Sequence, residues 1–223
     1  MSSRPQNRYA IVPASPDDIG TLLRVYIDSF YEREPLTSCL GLSKERMAAI
    51  ASAMYGGESG QDFARQLSFL AQDPDADANT VGFVLCDDPA DPNANRLPPN
   101  LTEQELLFFP SVAALLETVR APINTRIGKR PGEYLHIAAL GVMPGCEGKG
   151  LATSLLQAAL QEARRRGFRH AFAECTSAAS RACHEKCGFS TINHVSGDDF
   201  THADTRPFAG RRLDIHLMER DLE

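Results

Sequence analysis

The stretch Gly141–Arg166, GVMPGCEGKGLATSLLQAALQEARRR, decides how the rest of the chain is read. The apolar run Tyr134–Val142, YLHIAALGV, leads into it and predicts a buried strand. Pro144 and Gly145 end that strand, and Glu147–Ala152 predicts a tight turn that opens a helix. From Leu151 the apolar residues recur at helical spacing: Leu151, Leu155, Leu156, Ala159, Leu160 and Ala163. Arg164, Arg165 and Arg166 fall in the last turn, where cations suit the helix dipole, and Gly167 is a left-handed cap. A strand, a glycine turn and a helix N-terminus together form an anion site. The free N–H groups of the first turn point at the ligand, and missing Cβ atoms let a phosphate approach.

Several families use such turns. The Walker loop is excluded, because the spacing to Lys149 is wrong and no Ser or Thr follows it directly. The dinucleotide fingerprint fits poorly, since its strand opens a βαβ unit and here the turn lies past the middle of the chain.

The stretch resembles motif A of the GNAT-type N-acetyltransferases, [Q/R]-x-x-G-x-[G/A] preceded by V-x-P. Here it stands as Val142-Met143-Pro144 and then Glu147-Gly148-Lys149-Gly150-Leu151-Ala152, with Glu147 departing from Gln or Arg. A carboxylate beside phosphates weakens binding unless its side chain turns away. The family also shows N-x-x-A-x-x-x-Y-x-x-x-G-F. Ser177, Ser180, His184, Gly188 and Phe189 hold those places, and only Gly188-Phe189 matches outright. The resemblance covers residues 133 to 190 best. It implies an α/β fold with a mixed, largely antiparallel central sheet flanked by helices. The central strand and the next parallel strand splay apart in a V.

The chain has 223 residues, 43% of them hydrophobic, which suits one domain over 1–223 with an insertion at about 87–131. A net charge of −6 argues against a nucleic-acid partner held by a broad basic surface. No apolar run approaches the roughly 20 residues that cross a bilayer, and MSSRPQNRY lacks the apolar core of a signal peptide. The six cysteines are scattered and read as reduced thiols, which predicts a cytoplasmic protein. Cys183-His184-x-x-Cys187 lies on a single helix with no second cluster, so packing is favoured over metal binding and no metal is expected.

In chain order, Tyr9–Val12 predicts a first strand, and Ser15-Pro-Asp-Asp18 a helix start. Ile19 to Phe30 is amphipathic, Phe30–Pro35 interrupts it, and a second helix is expected over 43–55 with Gly56-Gly57 as its stop. Arg65–Ala71 fits helix or strand by period alone; with the buried strand Val81–Cys86 it is read as a hairpin, partly on the family's order. Residues 87 to 131 contain Pro98-Pro99 and then a helix from Thr102, opened by the capping-box pattern Thr102–Glu105. This segment is either a lid or acceptor wall, or a surface excursion. His170–Cys175, a helix over 177–187, a strand to Val195, a polar loop and a last strand over 213–218 follow.

Acetyl transfer to an amine needs a held donor, a base, an oxyanion donor and a proton for the departing thiolate. The resemblance implies that Leu140, Gly141 and Val142 line the pantetheine, with a backbone N–H near Leu140 as oxyanion donor. Glu147, Gly148, Lys149, Gly150, Leu151, Ala152 and Thr153 are expected around the diphosphate, and Ser177, Ser180 and His184 across from them. Lys149 and Arg181 are cations near the phosphates, whereas Arg164–Arg166 reads as a solvated helix end. His136 interrupts an apolar strand and is the candidate base, with an unperturbed pKa of about 6.5; its alternative is a histidine satisfied by hydrogen bonds. Glu133 and Glu174 are reserve carboxylates. His184 stands where the family has a tyrosine acid, and as imidazolium it offers the same proton.

The resemblance thus implies an N-acetyltransferase taking acetyl-CoA as co-substrate and a primary amine as acceptor. The strings Ala173–Ser177 and Pro207-Phe208 resemble small-molecule acetyltransferases. The alternatives are a protein N-terminal or lysine acetyltransferase, and a coenzyme-binding sensor without turnover. A homodimer is compatible with this reading.

Overall fold

The computed structural model describes residues 9–55, 67–76, 79–90 and 102–223. The Gly56-Gly57 stop, residues 65 and 66, the Pro98-Pro99 pair and the Glu105 side chain lie outside that description. Seven strands form one sheet: β1 Ala10–Pro13, β2 Phe69–Asp73, β3 Asn79–Asp87, β4 Tyr134–Val142, β5 His170–Cys175, β6 Ser190–Ser196 and β7 Asp214–Asp221. Their order is β1-β2-β3-β4-β5-β7-β6, and every pair is antiparallel except β4–β5. The helices are α1 Ile19–Phe30, α2 Pro35–Leu40, α3 Lys44–Tyr55, α4 Glu103–Arg120, α5 Leu151–Arg165 and α6 Ala178–Lys186.

β2 pairs antiparallel with β3, as expected of the hairpin. The helix start at Ser15 is a short 3-10 turn, Pro16–Asp18, where the Asp18 carboxylate accepts from the Ser15 N–H and hydroxyl at 2.8 and 2.7 Å. Helix α2 was not expected. Glu34 caps it, accepting from the N–H groups of Leu36 and Thr37, while Pro35 takes the first turn and Gly41 closes it at φ 61°.

Each face of the sheet carries its own helices. The six residues of α5 at the expected apolar spacing, Leu151 to Ala163, are all buried, against Phe69, Val84, Leu135, Ile137 and Ala173. Each such leucine contributes about 1.5–3 kcal/mol relative to exposure. The opposite face holds α1, through Leu22 and Val25 on Phe83 and Leu85, and α4, through Leu115 and Val119 on Phe172 and Leu217. Strand β4 lies between these layers. Tyr134 packs on the α4 side, and Leu135 and Ile137 on the α5 side.

Candidate active site

β4 and β5 pair only from Tyr134 to His136. Beyond His136 the strands part, and β4 runs on to Val142 with no described strand on that edge. The register to β3 also breaks here: Leu85 faces Ala139 and Cys86 faces Ile137, so Ala138 is an extra, bulged residue. Past the bulge, Met143 N–H donates to Val81 C=O at 2.8 Å. Alternation then turns the amide groups of Leu140 and Val142 away from β3, into the opening. Gly141 departs from its expected role. It lines the opening, but alternation turns its amide toward β3, and a Cβ there would meet Phe83 at 2.5 Å. Gly141 is a packing glycine.

The open edge ends at the glycine turn. Gly148 and Gly150 take left-handed angles (φ 73° and 78°), and a Cβ on either would meet nothing within 4 Å. The first bond of α5 runs from Ser154 N–H to Gly150 C=O at 3.0 Å, so Leu151, Ala152 and Thr153 present N–H groups with no partner inside the helix. Open space, bare donors and a dipole fit an anion. Glu147 turns its carboxylate back on Gly145 N–H at 2.6 Å and pairs with Arg33. Its pKa is lowered by backbone hydrogen bonding and by Arg33. Lys149 does not line the cavity; its Nζ donates to the Tyr9 hydroxyl at 3.1 Å and lies over that ring. Arg181 likewise turns away, toward His216 and Glu185.

A cavity of about 1360 Å³ joins this turn to the far side of the splay. At the point where the strands part, four charged side chains meet under it. His136 Nδ1 faces Asp87 at 3.0 Å, His136 Nε2 faces Glu174 at 2.9 Å, and Arg120 of α4 pairs with the other Glu174 oxygen. The imidazole stacks on Phe172 with ring centroids 4.7 Å apart. Burial alone would lower its pKa, but Asp87 and Glu174 outweigh burial and raise it to about 9. Burial would raise Glu174, yet His136 and Arg120 hold it at about 2. His136 is therefore a buried imidazolium with both nitrogens engaged. The expected base role called for a neutral ring titrating near 6.5, and the two carboxylates work against that form. The alternative reading, a histidine satisfied by hydrogen bonds, describes it better, with carboxylates as the partners. Of the reserve carboxylates, Glu174 reaches the cavity but is buried and doubly paired; Glu133 does not line it.

Helix α6 faces the cavity from the β5 side. Ser177 caps it, accepting from Ser180 N–H at 3.1 Å, and the Ser180 hydroxyl donates to Cys175 Sγ at 3.3 Å. Thr153 Oγ1 lies 3.7 Å from Cys183 Sγ, tying α5 to α6. His184 is buried, with Nδ1 2.9 Å from Ser180 C=O and Nε2 without a partner among the described residues. Burial lowers its pKa. Burial thus works against the imidazolium form that the expected acid role requires.

Glu34 was missed by the sequence reading. It lines the cavity, and its carboxylate accepts from Leu36 N–H at 2.9 Å, Thr37 N–H at 2.6 Å and the Thr176 hydroxyl. It thus bridges α2 and the loop before α6, across the splay. The available signal was an acid directly before a helix-opening proline, in the segment taken only as an interruption.

Residues 108–189 match the family model described as Acetyltransferase (GNAT) family. That span runs from α4 through the open strand, the glycine turn and α6 to Phe189. Over this segment the chain is similar to the GNAT acetyltransferases. The likeness in fold extends over 96% of the chain. The C-terminal condensation domain of Ebony in complex with beta-alanyl-dopamine superposes with a TM-score of 0.76, at 20% identity, over 96% of this chain and 98% of that one. The Drosophila melanogaster polyamine N-acetyltransferase, which forms N-acetylagmatine, gives 0.69 at 19% identity over 96% and 99%. Arylalkylamine N-acetyltransferase 2 from Aedes aegypti gives 0.68 at 17% over 96% and 99%. No described helix is long and apolar enough to cross a membrane.

Proposed function

We propose that this protein is an N-acetyltransferase that moves the acetyl group of acetyl-CoA onto the primary amine of a small molecule. One observation carries this: the unpaired edge of β4 past His136 runs directly into the bare N–H groups of α5. Leu140 and Val142 offer amide groups to an extended chain along that edge, and the turn from Gly148 to Thr153 offers donors to a diphosphate. Acetyl-CoA supplies an activated thioester. The Leu140 N–H is the donor for the oxyanion, because it faces the opening where β4 and β5 separate.

The acceptor enters from the α1–α2 and α4 side, where Phe30, Leu36, Phe109, Val112 and Leu116 give an apolar wall. The insertion is thus read as an acceptor wall. Glu34 is our candidate for taking the amine proton, directly or through a water. Its partners are neutral donors, as are those of Asp88 on the cavity wall, in contrast to Glu174, which is paired with two cations; unlike Asp88, Glu34 bridges the two sides of the splay through Thr176. His136, Glu174, Arg120 and Asp87 fix the point of the splay. The structural relatives include enzymes named for arylalkylamines and for forming N-acetylagmatine, which makes small amines the first to try. All six thiols are free, which suits a reducing compartment such as the cytoplasm. A thiol-release assay with acetyl-CoA and a panel of amines tests this reading. Release that depends on an amine supports it; binding of acetyl-CoA without release for any amine favours a sensor.

A further inference from the structure

The glycine turn carries an acid, Glu147, at the place where the motif has Gln or Arg. A bare carboxylate would oppose a diphosphate there. A counter-charge comes from a distant part of the chain. Arg33 belongs to the turn between α1 and α2, and Glu32 before it takes left-handed angles (φ 59°). Arg33 lies across the mouth of the cavity. Its Nη2 donates to Glu147 Oε1, and its Nη1 stands 3.5 Å from Val142 C=O. The guanidinium therefore sits between the end of the open strand and the turn before α5. Lys149, the cation within the turn, is directed to Tyr9 instead.

We propose that Arg33 is a coenzyme-binding residue, contacting the diphosphate of acetyl-CoA from outside the glycine turn, with Glu147 holding it in position. This rests on the acetyltransferase reading. Three observations support it. Arg33 and Glu147 are 40% and 47% exposed, so as an ion pair alone they contribute little to stability. Among the described residues two of the five N–H groups that a guanidinium carries are engaged, which leaves donors for phosphate oxygens. Glu147 is itself fastened by Gly145 N–H, so the pair is anchored to the turn and not merely adjacent to it.

The test is calorimetric titration of the folded protein with acetyl-CoA and with a short acetyl thioester that lacks the diphosphate. R33Q should weaken acetyl-CoA binding about 10–100-fold, as expected for a lost charge-assisted contact, and leave the short donor unchanged. Adding E147Q to R33Q should recover part of that loss, because the carboxylate is then no longer bare. Should R33Q fail to fold, R33K carries the same comparison with a smaller loss. Unchanged acetyl-CoA affinity in R33Q, or an equal loss for both donors, would overturn the assignment while leaving the acetyltransferase reading intact. A wild-type protein that binds no acetyl-CoA would overturn both.

Discussion

His136 shows what one side chain does in this site. It is a cation held between Asp87 and Glu174, and its folded pKa of about 9 lies above the ordinary 6.5. A raised histidine contributes stability that is full below about pH 6.5 and is lost as pH rises through about 9. Glu174 is the opposite case. Its carboxyl is depressed from 4.5 to about 2, so its contribution is full above about 4.5 and is lost as pH falls through about 2. Urea midpoints of the wild type should therefore fall between pH 6.5 and 9, and His136→Gln should flatten that decline. Equal slopes in the two proteins would contradict the assignment. In turnover the two acids separate. Glu34→Gln should lower kcat/KM by ~10²–10⁴-fold with acetyl-CoA affinity kept. His136→Gln should retain any ascending limb near pH 6.5, since no neutral imidazole acts there. The sequence displayed His136 as a polar residue in an apolar strand. It did not display Asp87, Arg120 or Glu174 as its partners, because that pairing depends on where distant segments meet.

At the scale of elements, the strand, turn and helix from Tyr134 to Arg165 were legible, because period and glycine placement are local signals. Helix α2 was not. It has six residues, and its proline also reads as a break. The residues that join elements were equally hidden. Arg120 lies near the end of α4 and reaches Glu174 on β5. Arg120→Met would leave a buried carboxylate with one cation fewer, and should cost about 3–5 kcal/mol in urea denaturation. A loss below 1 kcal/mol would show that the pair is not needed to hold α4. Gly150→Val acts on the turn. At φ 78° a branched side chain is strained by about 1–3 kcal/mol, and its methyl groups also fill the space before α5. The folded fraction should lose acetyl-CoA binding, and unchanged affinity would remove the anion site from the turn. Leu116→Ala, on the acceptor wall, should change acceptor KM and leave acetyl-CoA affinity alone; the reverse pattern would place α4 on the donor side.

For the molecule as a whole, the proposed function makes the separation of β4 from β5 the divide between a donor half and an acceptor half of the cavity. The donor half is mostly backbone: the edge of β4 and the N-terminus of α5. Donors of that kind do not depend on the side chains at Glu147, Ser177 and His184, where the chain departs from the motif. On the same reading the acceptor half is made of side chains from α1, α2 and α4; the sequence marked α1 and α4 as helices but placed only an interruption on α2. The fold was therefore more legible than the chemistry. The central claim is transfer, and amine-dependent release of coenzyme A thiol measures it most directly. With acetyl-CoA and a panel of arylalkylamines and polyamines, including agmatine, at least one acceptor should drive release well above hydrolysis, and Glu34→Gln should abolish most of it. Tight acetyl-CoA binding with the same slow release whether or not an amine is present would contradict the account.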